Sequence, residues 1–332
     1  MSSHYFDCTV VGGVYIDATF LVESLDSPLA YRGTTYSSFA TLSAGGSGAN
    51  LAAAISVLNG RSAFIGNSGN DPLSELFIRN MSSYDCYLRI TQEKNRRTGL
   101  IAVFVDPSGE RSFLCYRGAN DDLSPNDVEN SKDVIENSKF LVISGVDLAN
   151  SPQREALHGA AELATRSGVE VVFDAGSYDI VKKQRESFEK ILSISSIFSP
   201  NLDEAKALTG EDNLHMIVKR IRKLAPLIVL KMGRKGCLII NEKDIIRCLG
   251  FEVKTVDTTG AGDAFLAAFI YAIARNFSLE NAGVLSNWFA SKVIRNVGSR
   301  TFPTQQEIKS FLPELEIITK KKTTTNWKKD LD

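Results

Sequence analysis

Short apolar runs alternate with helical patterns through the second half of the sequence. The runs FLVISG, EVVFDAG, SIFSPN and LIVLKMG fall at residues 140–145, 170–176, 196–201 and 227–233. The segments between them place apolar residues at helical spacing, as in REALHGAAELATRSG. Strands that alternate with helices form βαβ units, and the strands of such units pair in parallel. The sequence therefore predicts an α/β fold built on a mostly parallel sheet.

The segment 97–117 interrupts this alternation. It contains two β-rich runs on either side of Asp106-Pro107-Ser108-Gly109, which is typical of a hairpin. Apolar residues also alternate in TTYSSFATL, at residues 34–42, as in a strand with two different faces. We expect the hairpin to form a small antiparallel flap on the α/β body.

The composition is that of an ordinary globular protein. The chain has 332 residues, of which 43% are hydrophobic and 23% charged, with a net charge of −1. This length allows one large α/β domain or two smaller ones, and no internal repeat or linker divides the sequence. The near-neutral charge gives no reason to expect nucleic acid or an anionic membrane as a partner. The polar end, KKKTTTNWKKDLD, is predicted to be frayed.

Cysteine usage and hydropathy indicate a compartment. The five cysteines form no CxxC pair and are interpreted as reduced thiols. No apolar run reaches the length of about 18 residues that a membrane helix needs. The first residues, MSSHYFDC, lack the basic and then apolar order of a secretory signal. We therefore expect a soluble cytoplasmic protein.

The segment DTTGAGDAFLAAFIYAIARN, at residues 257–276, is the most informative for function. Gly260, Ala261 and Gly262 precede a long apolar helix, so bare amides at the positive end of the helix dipole should attract an anion. Asp263 lies in the first turn, where an acidic residue also simply favours the helix. The two glycines favour a functional interpretation, in which the amides hold negative charge and Asp263 accepts a hydroxyl proton. The helix terminus should lower the pKa of Asp263, which phosphoryl transfer tolerates.

Three other segments have both a functional and a structural interpretation. AGGSGANLAAA, at residues 44–54, resembles a phosphate-binding loop at first inspection. Asp17 lies just past the first strand, where its carboxylate could accept hydrogen bonds from two sugar hydroxyls or form a turn. Asn201 and Glu204 face the same way at the start of a helix, and they also make an ordinary helix-capping pattern.

Several catalytic classes are disfavoured. The sequence has no GxxxxGK[ST], which excludes P-loop chemistry. It has no HExxH, and His4, His158 and His215 are scattered, which disfavours a histidine metal site or a Ser-His-Asp triad. The glycines in VVGGVYID and in Gly46-Ser47-Gly48 are incomplete as GxGxxG, so an NAD-dependent oxidoreductase is a weak alternative.

In this order the segments resemble the PfkB (ribokinase-like) family of carbohydrate kinases. Residues 257–265, DTTGAGDAF, match its carboxyl-terminal signature, and residues 45–50, GGSGAN, match its amino-terminal one. The resemblance runs from about Val10 to Pro303. It implies a three-layer α/β/α domain over residues 1–318 with a β-sheet lid at about 16–43 and 97–117, followed by a polar tail at 319–332. It also implies ATP and Mg²⁺ as cofactors, and the lids of this family often pair into homodimers.

The resemblance further implies a role for each matching residue. Asp263 would be the base, and Gly260, Ala261 and Gly262 the anion hole for the transferred group. Asp17, Gly45, Gly46 and Asn50 would hold the sugar hydroxyls. Asn201 and Glu204 would order Mg²⁺ and the phosphates, partly through water. Lys231, Gly233 and Gly236 would line the ATP site, with Asn287 near the adenine. Asp257 and Thr259 match positions that bind a monovalent cation, usually K⁺, in many relatives.

The substrate is less constrained. YRGANDDLSP, at residues 116–125, resembles the segment that ends the lid hairpin in fructokinase-like and 2-keto-3-deoxygluconate kinase-like members. Arg117 is therefore a candidate substrate contact, with packing on Tyr116 as the alternative. The family's DxN element keeps only Asp174 here. We expect phosphorylation of a hydroxymethyl group on a small sugar or sugar acid. A nucleoside (adenosine-like) kinase and a non-catalytic sugar-binding relative are the alternatives.

Overall fold

A computed structural model describes residues 5–25, 34–108, 110–324 and 327. Its strands are β1 (Phe6–Val11), β2 (Tyr15–Leu21), β3 (Ala40–Gly45), β4 (Ser62–Gly69), β5 (Tyr87–Glu93), β6 (Gly99–Val105), β7 (Arg111–Tyr116), β8 (Ser138–Ser144), β9 (Glu170–Asp174), β10 (Ile197–Ser199), β11 (Leu227–Lys231), β12 (Cys237–Asn241), β13 (Ile245–Cys248) and β14 (Thr323–Thr324). Its α-helices are α1 (Ser47–Val57), α2 (Pro72–Ser82), α3 (Pro125–Glu129), α4 (Lys132–Glu136), α5 (Gln153–Arg166), α6 (Tyr178–Lys183), α7 (Arg185–Leu192), α8 (Leu202–Thr209), α9 (Leu214–Ile221), α10 (Ala261–Ala274), α11 (Leu279–Val293), α12 (Gln305–Phe311) and α13 (Leu315–Lys322).

A ten-stranded sheet forms the centre of the fold, in the order β14-β13-β12-β11-β10-β9-β8-β1-β4-β5. The strands from β11 to β5 in this order pair in parallel. The pairs β11–β12, β12–β13 and β13–β14 are antiparallel. The α/β class and the mostly parallel sheet expected from the alternation of strands and helices are confirmed.

Helices cover both faces of this sheet and create two hydrophobic cores. Along β8, Phe140 and Val142 point into one core, and Leu141 and Ile143 point into the other. A strand buried on both faces needs apolar residues at every position, which explains its unbroken apolar run. The first core contains most of α1, α10 and α11, and the second contains α5, α7 and α9. The expected three layers are therefore present.

A separate four-stranded sheet, in the order β3-β2-β6-β7, forms the lid. It contains the predicted hairpin as β6 and β7, and residues 26–33 and Gly109 of the predicted lid segments lie outside the described ranges. The hairpin is antiparallel as expected, but the lid as a whole is a mixed sheet, because β2 and β6 pair in parallel. The reason is that β2 follows β1 and β6 follows β5, two strands that end at the same edge of the large sheet. Both lid strands therefore leave the body in one direction.

The carboxyl-terminal segment is ordered further than expected. Residues 319–322, assigned to a frayed tail, complete α13, and β14 pairs with β13 through Cys248 and Arg247. This pairing satisfies backbone groups that the edge of β13 would otherwise expose. Residues 325, 326 and 328–332 of the expected tail lie outside the described ranges. Within the described ranges, no helix has the length and apolar character needed to cross a bilayer.

Candidate active site

A cleft of about 1140 Å³ opens at the edge of the large sheet where its parallel strands end. β9 ends at Asp174 and β11 ends at Lys231, and Asn201 makes a parallel bridge to Lys231. In open α/β sheets this edge is where ligands bind. The cleft is lined by nine of the residues predicted from the sequence: Asn201, Glu204, Lys231, Gly233, Gly236, Ala261, Gly262, Asp263 and Asn287.

The start of α10 forms the floor of the cleft. Gly260 caps the helix with φ +75°, and a Cβ there would lie 2.4 Å from the carbonyl oxygen of Ser299, so only glycine fits. The first turn of any helix leaves amides without helical acceptors. Of the three amides expected to be bare, that of Ala261 donates to the carbonyl oxygen of Thr258 at 3.3 Å. The predicted anion hole therefore relies on fewer amides than expected.

Asp263 is half-buried where the cleft meets the loop at residues 45–50. Ser47 Oγ donates to its Oδ1 at 2.6 Å, and Asn50 Nδ2 donates to its Oδ2 at 2.9 Å. Burial raises the pKa of Asp263, although the two hydrogen bonds act in the opposite direction. The expectation that the helix terminus would lower this pKa is wrong, because loss of hydration outweighs the other effects. A carboxylate with a raised pKa is the stronger base.

Asp17 lies on the lid strand β2 and faces the same loop. It is 8% exposed, and its Oδ1 is buried with no hydrogen-bond partner among the described residues. Burial raises its pKa to about 6, with Arg300 lowering and Asp263 raising it. A buried carboxylate oxygen without a donor is a site that a ligand hydroxyl can satisfy.

Gly45 and Gly46 were expected to be glycines so that the backbone could approach a bound sugar closely. The structure shows a different reason for glycine at these two positions. A Cβ on Gly45 would lie 2.3 Å from the carboxylate of Asp17. Gly46 has φ +92°, and its Cβ would lie 2.6 Å from the carbonyl oxygen of Gly13. These glycines are needed because Asp17 and the turn into α1 occupy the space that side chains would take.

Arg300 is a component of this region that the sequence analysis missed. Its Nε donates to Asn50 Oδ1 at 2.8 Å, and its Nη2 donates to the carbonyl oxygen of Gly45 at 3.3 Å. Its Nη1 also donates to Asn80 Oδ1 at 2.5 Å. Burial lowers its pKa to about 10, so it stays charged at neutral pH. Arg300 therefore fixes both the backbone and the side chain of the predicted sugar-binding loop.

Charged side chains from the ends of β9 and β11 and from the first turn of α8 converge in the cleft. Lys231 Nζ donates to Asp174 Oδ1 at 2.6 Å. Burial opposes the charge of Lys231, but Asp174 and Glu204 outweigh it, so the pKa of Lys231 lies above its usual value. A Cβ on Gly262 would lie 3.6 Å from Lys231 Nζ, which puts this cation beside the start of α10. A buried cation next to helix amides is suited to phosphate groups.

Asn201 and Glu204 form a complete capping box at the start of α8. Asn201 Oδ1 accepts the Glu204 amide at 2.9 Å, and Glu204 Oε2 accepts the Asn201 amide at 2.7 Å. The structural interpretation of this pattern is therefore correct. Glu204 is also buried, and burial raises its pKa to about 7 against the opposing effect of Lys231. Capping alone does not require so costly a burial of a carboxyl group.

The far end of the cleft contains the residues expected near a nucleotide base. Asn287 Nδ2 donates to the carbonyl oxygen of Cys248 at 3.0 Å, which ties α11 to β13. Gly236 has φ +89°, and a Cβ there would lie 2.0 Å from the same carbonyl oxygen. The structure thus gives Asn287 a structural partner, and its contact with an adenine stays a prediction.

Arg117 lies in an ionic cluster near the end of β1. Its Nε donates to Asp121 Oδ1 at 2.6 Å, and its Nη2 donates to Gln153 Oε1. Asp147 is buried nearby, and burial raises the pKa of Asp147 to about 6 while Arg117 lowers it. Arg117 is therefore held by acidic and amide groups, and its contact with a substrate stays a prediction.

Asp257 and Thr259 contact a lid residue that the sequence analysis did not single out. Arg111 Nη1 donates to Asp257 Oδ1 at 3.1 Å and to Thr259 Oγ1, and its Nη2 donates to Thr258 Oγ1. The carboxylate that the family resemblance assigns to a monovalent cation is thus paired with a guanidinium. No local sequence pattern identifies this contact, because it joins residues 146 positions apart.

Comparison with known proteins agrees with this geometry. A model of the pfkB family of carbohydrate kinases matches residues 6–306. A probable fructokinase-5 from Arabidopsis thaliana is 30% identical over 254 residues, which cover 74% of this chain and 78% of that protein. A 5-dehydro-2-deoxygluconokinase from Bacillus licheniformis is 28% identical over 319 residues, which cover 92% and 96%. The solved structure of Arabidopsis thaliana ribokinase with ribose and ATP aligns with a TM-score of 0.78 at 24% identity, covering 92% and 98%, and shows the same fold.

Proposed function

Because the chain belongs to the pfkB family of carbohydrate kinases, we propose that it transfers the γ-phosphoryl group of ATP to a hydroxymethyl group of a small sugar or sugar acid. One relative is named a fructokinase and another a 5-dehydro-2-deoxygluconokinase. The ribokinase that shares the fold was solved with ribose and ATP. These names support a free sugar or sugar acid as the acceptor.

The position of Asp263 is the observation that carries this proposal. Its carboxylate is hydrogen-bonded to Ser47 and Asn50 on the acceptor side, while its backbone belongs to the first turn of α10 on the cleft side. Asp263 would accept the proton of the attacking hydroxyl as the oxygen bonds to phosphorus and the bond to the ADP oxygen breaks. Burial raises the pKa of Asp263, which makes its carboxylate a stronger base than an ordinary aspartate.

The acceptor would bind between the lid and the loop at residues 45–50. Oδ1 of Asp17 has no hydrogen-bond partner among the described residues, which supports a hydrogen bond from a sugar hydroxyl. Asn50 would orient the hydroxymethyl group next to Asp263, and Gly45 and Gly46 would shape the floor. Arg117 would contact a more distant hydroxyl or acid group of the substrate.

ATP, the phosphoryl donor, would bind in the cleft of about 1140 Å³. Gly260 and Gly262, together with Lys231, would hold the transferred group, because the Ala261 amide already donates to Thr258, and Gly233, Gly236 and Asn287 would line the base. Glu204 fits Mg²⁺, since its buried carboxylate lines the cleft and hard cations take oxygen ligands, whereas Asp174 is already paired with Lys231. When bound, Mg²⁺ would neutralise phosphate charge, with Glu204 and Asn201 ordering it partly through water.

A coupled ADP-release assay with Asp263→Asn tests the proposal. The panel contains ribose, fructose, 2-keto-3-deoxygluconate, 5-dehydro-2-deoxygluconate and adenosine, each with Mg²⁺ and ATP. We expect turnover with at least one of the first four, and a fall of about 100-fold or more in Asp263→Asn with little change in sugar affinity.

Asp179→Asn is the matched control, because Asp179 is an exposed acidic residue in the first turn of α6. Near-normal turnover in Asp263→Asn would contradict the mechanism. Turnover with adenosine alone would assign the chain to the nucleoside kinases instead.

The lid supports a homodimer as a further part of the proposal. Leu42, Phe113 and Leu114 on its edge strands β3 and β7 are 56%, 58% and 66% exposed. Pairing of two lids would cover these side chains, and sedimentation analysis of the protein against Leu114→Glu measures it. A cytoplasmic location also stays a prediction, which cell fractionation tests.

A further inference from the structure

The lid makes one charged contact with the loop that leads into the anion hole. Arg111 is the first residue of β7 and pairs with Val105, the last residue of β6. Its side chain is 18% exposed. Its guanidinium donates to Asp257, Thr258 and Thr259, three consecutive residues. Gly260 follows directly. Arg111 therefore holds the segment from which the anion hole begins.

The Oδ1 atom of Asp257 is already fully hydrogen-bonded within the described part of the chain. Its Oδ1 accepts the Thr259 amide at 2.8 Å, the Thr259 hydroxyl at 2.6 Å and Arg111 at 3.1 Å. Its Oδ2 accepts the Gly298 amide at 2.8 Å. Each oxygen of an ionised carboxylate offers about two acceptor positions, so Oδ1 is fully used, while Oδ2 keeps one position beside the Gly298 amide. The side chain is 4% exposed, so no open solvent face remains for an ion.

The charges around Asp257 also disfavour a bound cation. Asp257 carries one negative charge, and Arg111 compensates it at contact distance. A metal ion at this carboxylate would stand beside a guanidinium, with like charges close together in a poorly hydrated place. The residues present therefore do not fit the monovalent cation that the family resemblance implies.

We propose that Arg111 takes the place of that cation. It supplies the positive charge against Asp257, and it orders residues 257–259 only when the lid lies on the body. Arg111 is thus a positioning residue for the anion hole, and catalysis by this chain does not depend on K⁺. The inference rests on the proposed kinase activity, since the anion hole is assigned by it.

The first test compares turnover in K⁺, in Na⁺ and in N-methyl-D-glucamine as the only monovalent cation, at constant ionic strength. We expect wild-type ADP release to agree within about two-fold across the three. An increase of about ten-fold or more in K⁺ would overturn the inference while leaving the kinase proposal intact. Thermal unfolding of the wild type in the same salts gives a readout that needs no activity, and we expect no selective rise in Tm with K⁺.

The second test uses Arg111→Ala and Arg111→Lys. We expect Arg111→Ala to lose about ten-fold or more in turnover and to regain part of it with K⁺ or methylguanidinium, either of which can occupy the vacated position. Its Tm should now rise selectively with K⁺, and Arg111→Lys should retain cation-independent turnover. Wild-type turnover in Arg111→Ala, or a loss that neither additive restores and no Tm response to K⁺, would overturn the inference. Arg89→Ala, which removes an exposed ion pair with Asp133, is the control and should match the wild type.

Discussion

Asn50 Nδ2 donates to Asp263 Oδ2 at 2.9 Å across 213 positions of the chain. The bond joins α1, whose first turn belongs to the loop at residues 45–50, to α10, which begins at the predicted anion hole. Asn50 uses its other atom, Oδ1, to accept from Arg300. The proposed base is therefore oriented by the residue proposed to hold the substrate, and that residue is in turn held by the partly buried Arg300.

Arg300→Met is expected to weaken sugar binding more than ATP binding. The change removes the Arg300 hydrogen bonds to Asn50 Oδ1 and to the Gly45 carbonyl oxygen and leaves Asn50 Oδ1 the 3.3 Å bond from Ser299 Oγ, so the loop at residues 45–50 is held less firmly. We expect the KM for the sugar to rise about ten-fold, with the KM for ATP nearly unchanged, and unfolding to become easier by about 1–3 kcal/mol. Initial-rate kinetics and urea unfolding measure the two effects.

Arg275→Met is the matched control for this change. Arg275 is also partly buried and bonds to Asp7 and to the carbonyl oxygen of Asn59, away from the cleft. It should lose stability without a selective change in the sugar KM. If the two variants raise the sugar KM equally, the role assigned to Arg300 is wrong.

Asp17 should make sugar binding sensitive to pH. Its pKa is raised to about 6 by burial, so the carboxylate takes up a proton as the pH falls through about 6. The protonated group accepts hydroxyl hydrogen bonds less well. We therefore expect kcat/KM for the sugar to fall by up to about ten-fold per pH unit below pH 6. Asp17→Asn should have a low kcat/KM for the sugar at every pH, and this kcat/KM should not fall further as the pH drops below 6.

The stability of the free protein should depend on Asp17 in the opposite direction. The folded pKa lies above the unfolded value, so the native state holds a proton that the unfolded chain releases between about pH 4 and 6. The stabilisation is complete below about pH 4 and is lost as the pH rises through about 6. Urea midpoints of the wild type should therefore decline relative to Asp17→Asn over this range. A constant difference between the two would show that Asp17 has an ordinary pKa.

Glu204→Gln separates the two interpretations of the capping box at α8. Glutamine can accept the Asn201 amide as glutamate does, so the cap is kept while the charge is removed. We expect stability to change by less than about 1 kcal/mol and the Mg²⁺ concentration for half-maximal turnover to rise several-fold. Titration of activity with Mg²⁺ at fixed ATP measures this shift.

Glu307→Gln is the control, because Thr304 and Glu307 form the same capping box at α12. Glu307 pairs with Lys292, so this variant should lose some stability while leaving the Mg²⁺ response unchanged. If both variants need the same Mg²⁺ concentration for half-maximal turnover, Glu204 acts only as a capping residue.

The sequence was sufficient for the parts of the molecule that local patterns encode. The alternation of apolar runs and helices predicts the parallel sheet, and Asp106-Pro107-Ser108-Gly109 predicts the β6–β7 hairpin. The start of α10 at the glycines also follows from local chemistry. These predictions succeed because periodicity and turn residues act within a few positions of the chain.

Other features depend on contacts that no local pattern specifies. Arg300 reaches Asn50 across 250 positions, and Arg111 reaches Asp257 across 146. The direction of the pKa shift of Asp263 was mispredicted because burial, which depends on the whole fold, outweighs the effect of its own helix. The parallel pairing of β2 and β6 likewise follows from where two body strands end, rather than from either segment.

Asp17 and Asn50 lie on opposite sides of the turn at Gly46. Asp17 belongs to the lid strand β2, whose partner β3 ends at Gly45, and Asn50 belongs to α1, which begins two residues later at Ser47. The short turn at Gly46 is the covalent connection between the two structural parts at this point. Any molecule that hydrogen-bonds to both side chains spans that turn and fastens one part to the other. The bound substrate would therefore complete its own pocket, because its hydrogen bonds to Asp17 and Asn50 would hold the lid against the body.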